Sequence, residues 1–193
     1  MVNYKRQKGE KLYTSESNYT VFDMEMTDFI ASESQILEIA ALRVRDNVVV
    51  DTFCSLIDPQ MHISSIVSSI THISNEMVVG APTLEEISVP FLDFLGDDIV
   101  IGHNIDNFDY NIIYDMSMKT KDKPFTNSFI DTYHLAKRRL PERGDNSLSS
   151  LAIYLGLDVT VSHRAEADCY VIHKLYQALK DMADKKDKIK NTY

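Results

Sequence analysis

Two apolar runs joined by a short polar turn constrain the fold of this chain most. Residues 36–45 read ILEIAALRVR and residues 48–58 read VVVDTFCSLID, and only Asp46 and Asn47 lie between them. Asp and Asn tolerate the positive φ angles that a two-residue hairpin turn requires. The pattern therefore predicts two antiparallel strands that lie side by side.

The run before the hairpin predicts a further strand, and the chain after it predicts alternating helices and short strands. Residues 19–26, YTVFDMEM, would lie beside the hairpin. This order favours an α/β fold with a mixed central sheet, whose first three strands are antiparallel and which is flanked by helices. The later expectations are a helix over 83–95 that Pro90 kinks or breaks, a strand over 98–104, a helix over 106–118, a strand turning into a helix over 129–140, and helices over 147–156 and 165–180.

Length and composition favour one cytoplasmic domain. The chain has 193 residues, 44% hydrophobic and 25% charged, which is ordinary for a soluble domain. No apolar run is long enough to span a membrane, no secretory signal is visible, and the two cysteines lack metal-type spacing. We expect a flexible N-terminal segment over 1–18, the folded domain over 19–181 and a lysine-rich tail over 182–193.

The net charge argues against a protein that coats nucleic acid. At pH 7 the formal charge is -9, whereas broad nucleic-acid binding needs a basic surface. The charge still allows an enzyme that holds a few nucleotides through metal ions. Partners in a membrane are not expected.

Two acids in the first predicted strand point the same way. Asp23 and Glu25 are two residues apart, so their side chains share one face of the strand. Buried carboxylates are costly unless a cation or hydrogen-bond donors receive them. Something in the fold must therefore compensate this pair.

Two more acids lie on the apolar stripes of predicted helices. Asp109 precedes Ile113 and Met116 at helical spacing, and Asp168 precedes Ile172 and Leu175 in the same way. Each acid alone could be a strand-edge residue, a helix cap or half of a core ion pair.

All four acids together favour a site for divalent cations, because no matching set of inward basic residues is evident. Mg²⁺ and Mn²⁺ take oxygen ligands, and two such ions about 3.5–4 Å apart can activate water and stabilise a leaving oxygen. His163, five residues before Asp168, can accept a proton near neutral pH, although alone it would read as a surface loop histidine.

Three segments resemble the motifs of the DEDDh 3′→5′ exonucleases, and among these the proofreading exonuclease of bacterial DNA polymerase III (the epsilon subunit or the PolC exonuclease domain). These segments are Asp23-Met24-Glu25, the run GHNIDNFD over 102–109, and the run HRAEAD over 163–168. A histidine five places before the last acid is typical of this group, whereas its relatives carry a tyrosine four places before it. The resemblance extends over about residues 19–180.

The resemblance implies a ribonuclease H-like fold and a set of site residues. Two divalent cations, Mg²⁺ or Mn²⁺, would be held by Asp23, Glu25, Asp109 and Asp168, and His163 would deprotonate the attacking water. The substrate would be a single-stranded DNA 3′ end, and a DNA polymerase subunit is a candidate partner. Candidate substrate-binding residues are Met26, Thr27, Asn104 and Phe108.

The chain departs from the family pattern at two places and leaves two alternatives open. Met26-Thr27-Asp28 stands where the family usually has Thr-Thr-Gly or Thr-Gly, and His72 stands where glycine is common. We expect activity with an altered hold on the 3′ nucleotide. The alternatives are an RNA-trimming exonuclease with the same chemistry and a non-catalytic polymerase-binding module; the complete set of four acids and a histidine argues against the latter.

Overall fold

A five-stranded mixed sheet forms the centre of the molecule. The computed structural model describes residues 6–27 and 35–190, with side chains described as far as residue 182. The strand order across the sheet is β3-β2-β1-β4-β5. The strands are β1 (Tyr19–Met26), β2 (Ile36–Arg45), β3 (Val48–Leu56), β4 (Val100–Gly102) and β5 (Phe129–Asp131). β1, β2 and β3 pair antiparallel, whereas β4 and β5 run parallel to β1, as the predicted mixed sheet requires.

Helices cover both faces of the sheet. They are α1 (Ser65–Thr71), α2 (Leu84–Leu95), α3 (Asp109–Lys121), α4 (Thr132–Arg139), α5 (Leu148–Tyr154) and α6 (Ala165–Lys190), with a 3₁₀ turn over Asn75–Val78. One core packs α4, α5 and α6 against the sheet, and a second packs α2 and α3 against its other face. In the described part of the chain, no helix is both long and apolar enough to span a membrane.

The predicted hairpin is confirmed. Asp46 and Asn47 both have positive φ, 50° and 64°, and they join β2 to β3. Positive φ at both central residues matches the twist of a two-residue hairpin turn. The strand before the hairpin then completes an antiparallel trio, in which β1 and β2 are buried and the edge strand β3 is largely exposed.

Alternation along β1 sends the two acids toward α6. Tyr19 and Val21 belong to the core under α6, whereas Phe22 and Met24 belong to the core under α2 and α3. Asp23 and Glu25 continue the first set, because residues two apart on a strand share a face. Both acids lie at the carboxyl end of β1, the edge at which the parallel strand β4 also ends.

Several predicted boundaries differ from the structure. α2 is continuous through Pro90, so the expected break is wrong. Pro90 and Glu86, whose carbonyl is left without a helical N–H donor, are both exposed residues. α3 begins at Asp109 rather than near Asp106. The helix α1 was not predicted. Asp28, expected near the substrate, lies outside the described residues.

The two chain ends also differ from expectation. Within the segment 1–18, residues from Arg6 onward contact the domain; Leu12 donates a backbone hydrogen bond to Phe129 of β5, and Leu12 and Tyr13 pack on the core. The expected tail over 182–193 begins inside α6, which continues to Lys190. The packed part of the chain therefore starts earlier than the sequence predicts.

Candidate active site

The acids predicted from sequence meet at one edge of the sheet. Glu25, His163 and Asp168 offer ligand atoms that all lie within 4.8 Å of one another. Asp23, Glu25, Asp109 and His163 line a single pocket. The charges of Glu25, Asp109 and Asp168 all act on the carboxyl group of Asp23. Carboxylates from β1, α3 and α6 therefore form one cluster, together with the histidine.

Burial raises the pKa of each of the four carboxylates, and neighbouring acids add to this effect. Burial is the largest cause at Asp23, whose pKa is raised well above its usual range, followed by the charges of Asp109, Glu25 and Asp168. The pKa of Glu25 is raised to about 8 by burial and then by Asp168. The pKa of Asp109 is raised to about 7, mainly by burial. Arg164 offsets only part of this effect at Glu25, so the cluster is a candidate cation site.

Asp168 fixes the turn that carries His163. Its Oδ1 accepts from the backbone N–H of Ser162 at 2.9 Å, and its Oδ2 accepts from the N–H of His163 at 3.2 Å. These two bonds lower the pKa of Asp168 but do not overcome burial, which raises it. His163 has a φ of 53°, in the left-handed region, and its side chain is exposed. The carboxylate thus holds a strained backbone so that the imidazole reaches the cluster.

The predicted nucleotide-contacting residues are only partly brought together. Met26, Thr27 and Phe108 line the pocket. Asn104 does not; its backbone N–H bonds Asp131 Oδ1 at 2.9 Å, and its φ of 61° shapes the loop after β4. Asn104 therefore remains a prediction as a substrate contact.

One wall of the pocket was not predicted from the sequence. α1 and its N-cap contribute the side chains Ser64, Ile66, Val67, Ile70 and Thr71. The Ser64 side chain caps the helix by accepting from the N–H of Val67, a signal that the sequence carries as a serine before an apolar pattern. The pocket has a volume of about 510 Å³, acidic at one end and apolar along α1.

A comparison with known protein families shows to which family the chain belongs. The profile of the family RNase_T, described as exonuclease, matches residues 20–176. This chain belongs to that exonuclease family. The match spans all three predicted motifs, so the family predicted from them is confirmed.

Individual relatives of this exonuclease domain are polymerases and nucleases. The chain is 33% identical to the PolC-type DNA polymerase III of Staphylococcus haemolyticus over 171 residues, and 32% identical to that of Staphylococcus aureus over 179 residues. These matches cover 86% and 91% of this chain but only 12% of either polymerase. The chain thus corresponds to a small part of the polymerases that it resembles.

Solved exonuclease structures share the fold. Exonuclease X in complex with 5′ overhanging duplex DNA has a TM-score of 0.67 and 26% identity, over 86% of this chain and 91% of that one. Exonuclease I of E. coli with a dA16 oligonucleotide has a TM-score of 0.72 and 15% identity, over 88% and 42%. The predicted ribonuclease H-like fold is therefore confirmed.

Proposed function

We propose that this exonuclease domain is a metal-dependent 3′→5′ exonuclease that releases nucleoside monophosphates from single-stranded DNA ends. The observation that carries the proposal is the cluster of Asp23, Glu25, Asp109 and Asp168 beside His163. The family match over residues 20–176 supports nuclease chemistry in general. The direction of cleavage and the choice of DNA are part of the proposal.

The donor set fits two divalent cations. Four carboxylates supply only oxygen ligands, which Mg²⁺ and Mn²⁺ prefer. Their raised pKa values mean that the cluster is unfavourable as four free anions, so a bound cation would relieve the repulsion. When bound, the ions would supply Lewis-acid stabilisation of the charge that develops on phosphate oxygens. Asp23, Glu25, Asp109 and Asp168 are the residues that would hold them.

His163 is the group that would take the proton of the attacking water. Its ring is exposed at the mouth of the cluster, within 4.8 Å of carboxylate atoms of Glu25 and Asp168. As water adds to the terminal phosphorus, its proton passes to the imidazole, and the bond from phosphorus to the preceding 3′-oxygen breaks. That oxygen takes up a proton, so a nucleoside 5′-monophosphate leaves and a new 3′-hydroxyl remains.

The pocket beside the cluster suits a terminal nucleotide. Phe108 and the apolar side chains Ile66, Val67 and Ile70 form walls against which a base and sugar can pack, while the acids occupy the phosphate end. Thr27, the residue directly after β1, adds a polar side chain to the lining of the pocket. A single-stranded end suits this shape, because a paired base could not enter without being unstacked.

The similar proteins favour DNA as the proposed substrate. Both polymerase relatives are DNA polymerases, and the two structural neighbours described above hold DNA. A DNA polymerase, on the same chain or as a separate subunit, is the proposed partner, and removal of misincorporated nucleotides is the proposed role.

The test uses a 5′-labelled single-stranded DNA and an RNA of the same sequence, each with Mg²⁺ and with EDTA. The proposal expects a DNA ladder that shortens from the 3′ end only with Mg²⁺, with slower RNA cleavage. Intact DNA beside shortened RNA would replace DNA with RNA as the substrate. Both strands intact would refute the proposed activity.

A single substitution tests whether His163 is the general base. His163→Asn removes the imidazole, while Asn tolerates the left-handed backbone that His163 adopts. We expect turnover to fall by about 10²- to 10⁴-fold, the usual contribution of a general base, with Mn²⁺ binding retained. Unchanged turnover would remove His163 from this role.

A further inference from the structure

A short N-terminal segment clamps the loop that leads into α3. We call residues 6–12 the strap. Lys8 Nζ lies 3.2 Å from Asp106 Oδ1 and also donates to the backbone carbonyl of Asp106. Lys11 Nζ pairs with Asp106 Oδ2. The three side chains are 22–25% exposed, so this double ion pair is largely shielded from solvent.

The strap is anchored to the sheet through its backbone. The N–H of Phe129 in β5 donates to the carbonyl of Glu10 at 2.9 Å, and the N–H of Leu12 donates to the carbonyl of Phe129 at 2.7 Å. The strap therefore pairs in parallel with β5 at the edge of the sheet. These bonds set the register that delivers both lysines to Asp106.

Close packing at Gly9 fixes the same register. The N–H of Gly9 donates to the hydroxyl of Tyr110 at 3.0 Å. A Cβ added at Gly9 would lie 2.1 Å from the carbonyl oxygen of Asn127, so only glycine fits this approach. The strap is a specific contact and not a loosely attached end.

Asp106 lies in the loop that presents two pocket residues. Phe108 and Asp109 follow it closely in sequence, and both line the pocket. The loop has little regular structure of its own, since Asn104 has a φ of 61° and Phe108 has φ and ψ of -129° and -82°. Part of its conformation comes from within, since the N–H groups of Phe108 and Tyr110 donate to the carbonyl of Ile105 at 3.3 and 3.0 Å. Contacts from outside the loop add to these bonds.

Two further sets of contacts, from outside the loop, hold the residues from Asn104 to Asp106. On the sheet side, Asp131 accepts from the backbone N–H groups of Asn104, at 2.9 Å, and of Asp106, at 3.2 Å. The strap supplies Lys8 and Lys11 to the side chain of Asp106. Without the strap, the Asp106 side chain would lose both of its ion pairs, while the Asp131 contacts and the packing of Ile105 in the core would remain.

We propose that Lys8 and Lys11 are positioning residues, which act through Asp106 to place Asp109 and Phe108 in the pocket. The inference rests on the proposed function, because it assigns the strap a part in holding a metal ligand. Groups that orient ligands from behind typically change metal affinity or activity by about 10- to 100-fold when they are removed. The strap lysines are assigned the same kind of effect.

The test compares two changes in the strap. The double variant Lys8→Met with Lys11→Met removes both positive charges that pair with Asp106 and keeps unbranched side chains at the two positions. Arg6→Met is the matched control, because Arg6 makes a two-bond ion pair with Asp115 on the exposed side of α3 and does not reach Asp106. Thermal unfolding of each variant without metal reports on folding.

The expected result separates positioning from stability. The double lysine variant should bind Mn²⁺ about 10- to 100-fold more weakly in calorimetry and need correspondingly more Mg²⁺ for half-maximal turnover. Arg6→Met should match the wild type in both. Lys8→Arg with Lys11→Arg should recover most of the binding, since arginine can donate to the same carboxylate.

Equal Mn²⁺ binding by the double lysine variant and Arg6→Met would overturn the proposal. If the double variant does not fold, Asp106→Asn decides instead: weakened Mn²⁺ binding supports the proposal and unchanged binding overturns it. A wild type that binds Mn²⁺ but cleaves no nucleic acid would refute the proposed function, and the Mn²⁺ comparison would still judge the strap.

Discussion

Arg164 and Glu38 form an ion pair that ties the start of α6 to β2. Arg164 Nη2 lies 2.6 Å from Glu38 Oε1, Arg164 Nε lies 3.0 Å from Oε2, and the N–H of Ala165 donates to Oε2 at 2.8 Å. Glu38 stands directly opposite Glu25 in the β1–β2 pairing. The guanidinium therefore compensates the negative charge next to the candidate metal site, and it does so beside His163.

Arg164→Met should lower the free energy of unfolding. It leaves the Glu38 carboxylate, only 2% exposed, with a single backbone donor. Breaking a fully buried pair costs about 3–5 kcal/mol, but Arg164 itself is 37% exposed, so we expect about 2 kcal/mol. Urea unfolding at neutral pH measures the change. Glu38→Gln added to Arg164→Met should regain part of the loss; wild-type stability of Arg164→Met alone would contradict the account.

Asp23→Asn and Asp168→Ala should both abolish turnover but move stability in opposite directions. Without metal, Asp23→Asn removes a carboxyl group that burial and three neighbouring acids disfavour, so its melting temperature in EDTA should rise. Asp168→Ala loses two acceptors for backbone N–H groups, each worth about 1 kcal/mol, so its melting temperature should fall.

Calorimetric melting of both variants and the wild type in EDTA measures this contrast. Asp109→Asn serves as a control, since it also removes an acid of the cluster with a raised pKa. A fall in the melting temperature of Asp23→Asn would show that burial and the neighbouring acids do not destabilise the Asp23 carboxylate.

Metal-free protein should lose stability as the pH rises through the range set by the acid cluster. The pKa of Glu25 is raised to about 8 and that of Asp109 to about 7 in the folded chain, above their usual values. Between the unfolded and folded pKa values the folded state binds more protons, so the free energy of unfolding falls with increasing pH.

Melting temperatures in EDTA from about pH 6.5 to pH 8 test this slope, because at lower pH His103 and His173, whose pKa values burial lowers to about 4, add a slope of the opposite sign. Mg²⁺ should flatten it, because a bound cation favours the ionised carboxylates in the folded state. A metal-free melting temperature that rises across this range would contradict the assigned pKa directions.

His72→Gly should stabilise the protein without changing its activity. His72 ends α1 with φ and ψ of 57° and 23°, a left-handed conformation that costs most residues about 1 kcal/mol and glycine almost nothing. His72 does not line the pocket. Urea unfolding should show a gain of up to about 1 kcal/mol, with kcat/KM unchanged.

His72→Ala is the control for this prediction, because alanine also disfavours the left-handed region and should give no comparable gain. A fall in kcat/KM for both variants would identify His72 as a substrate contact.

The sequence predicted the strands and the acids because both follow from local rules. Alternation along residues 19–26 fixed the faces of Asp23 and Glu25, and helical spacing placed Asp168 on the inner side of α6. Asp109 was placed correctly although it begins α3 and does not lie inside it. The face on which a side chain lies depends on the helical or strand period of its element. A mispredicted first or last residue of the element does not change that face.

The missed features depend on contacts between distant parts of the chain. The strap is polar in sequence, and only its pairing with β5 and the approach of Gly9 to Asn127 make it part of the fold. Pro90 was expected to interrupt α2, but it and Glu86, whose carbonyl loses its helical donor, both lie on the exposed side of the continuous helix. Neither outcome follows from local composition or periodicity.

The most direct test of the central claim is a calorimetric titration of Mn²⁺ into the wild type and into Asp23→Asn at pH 8. If the carboxylates from β1, α3 and α6 form a cation site, the wild type binds Mn²⁺ with release of protons and Asp23→Asn binds it much more weakly. Equal binding by the two proteins, or none by either, would contradict the account.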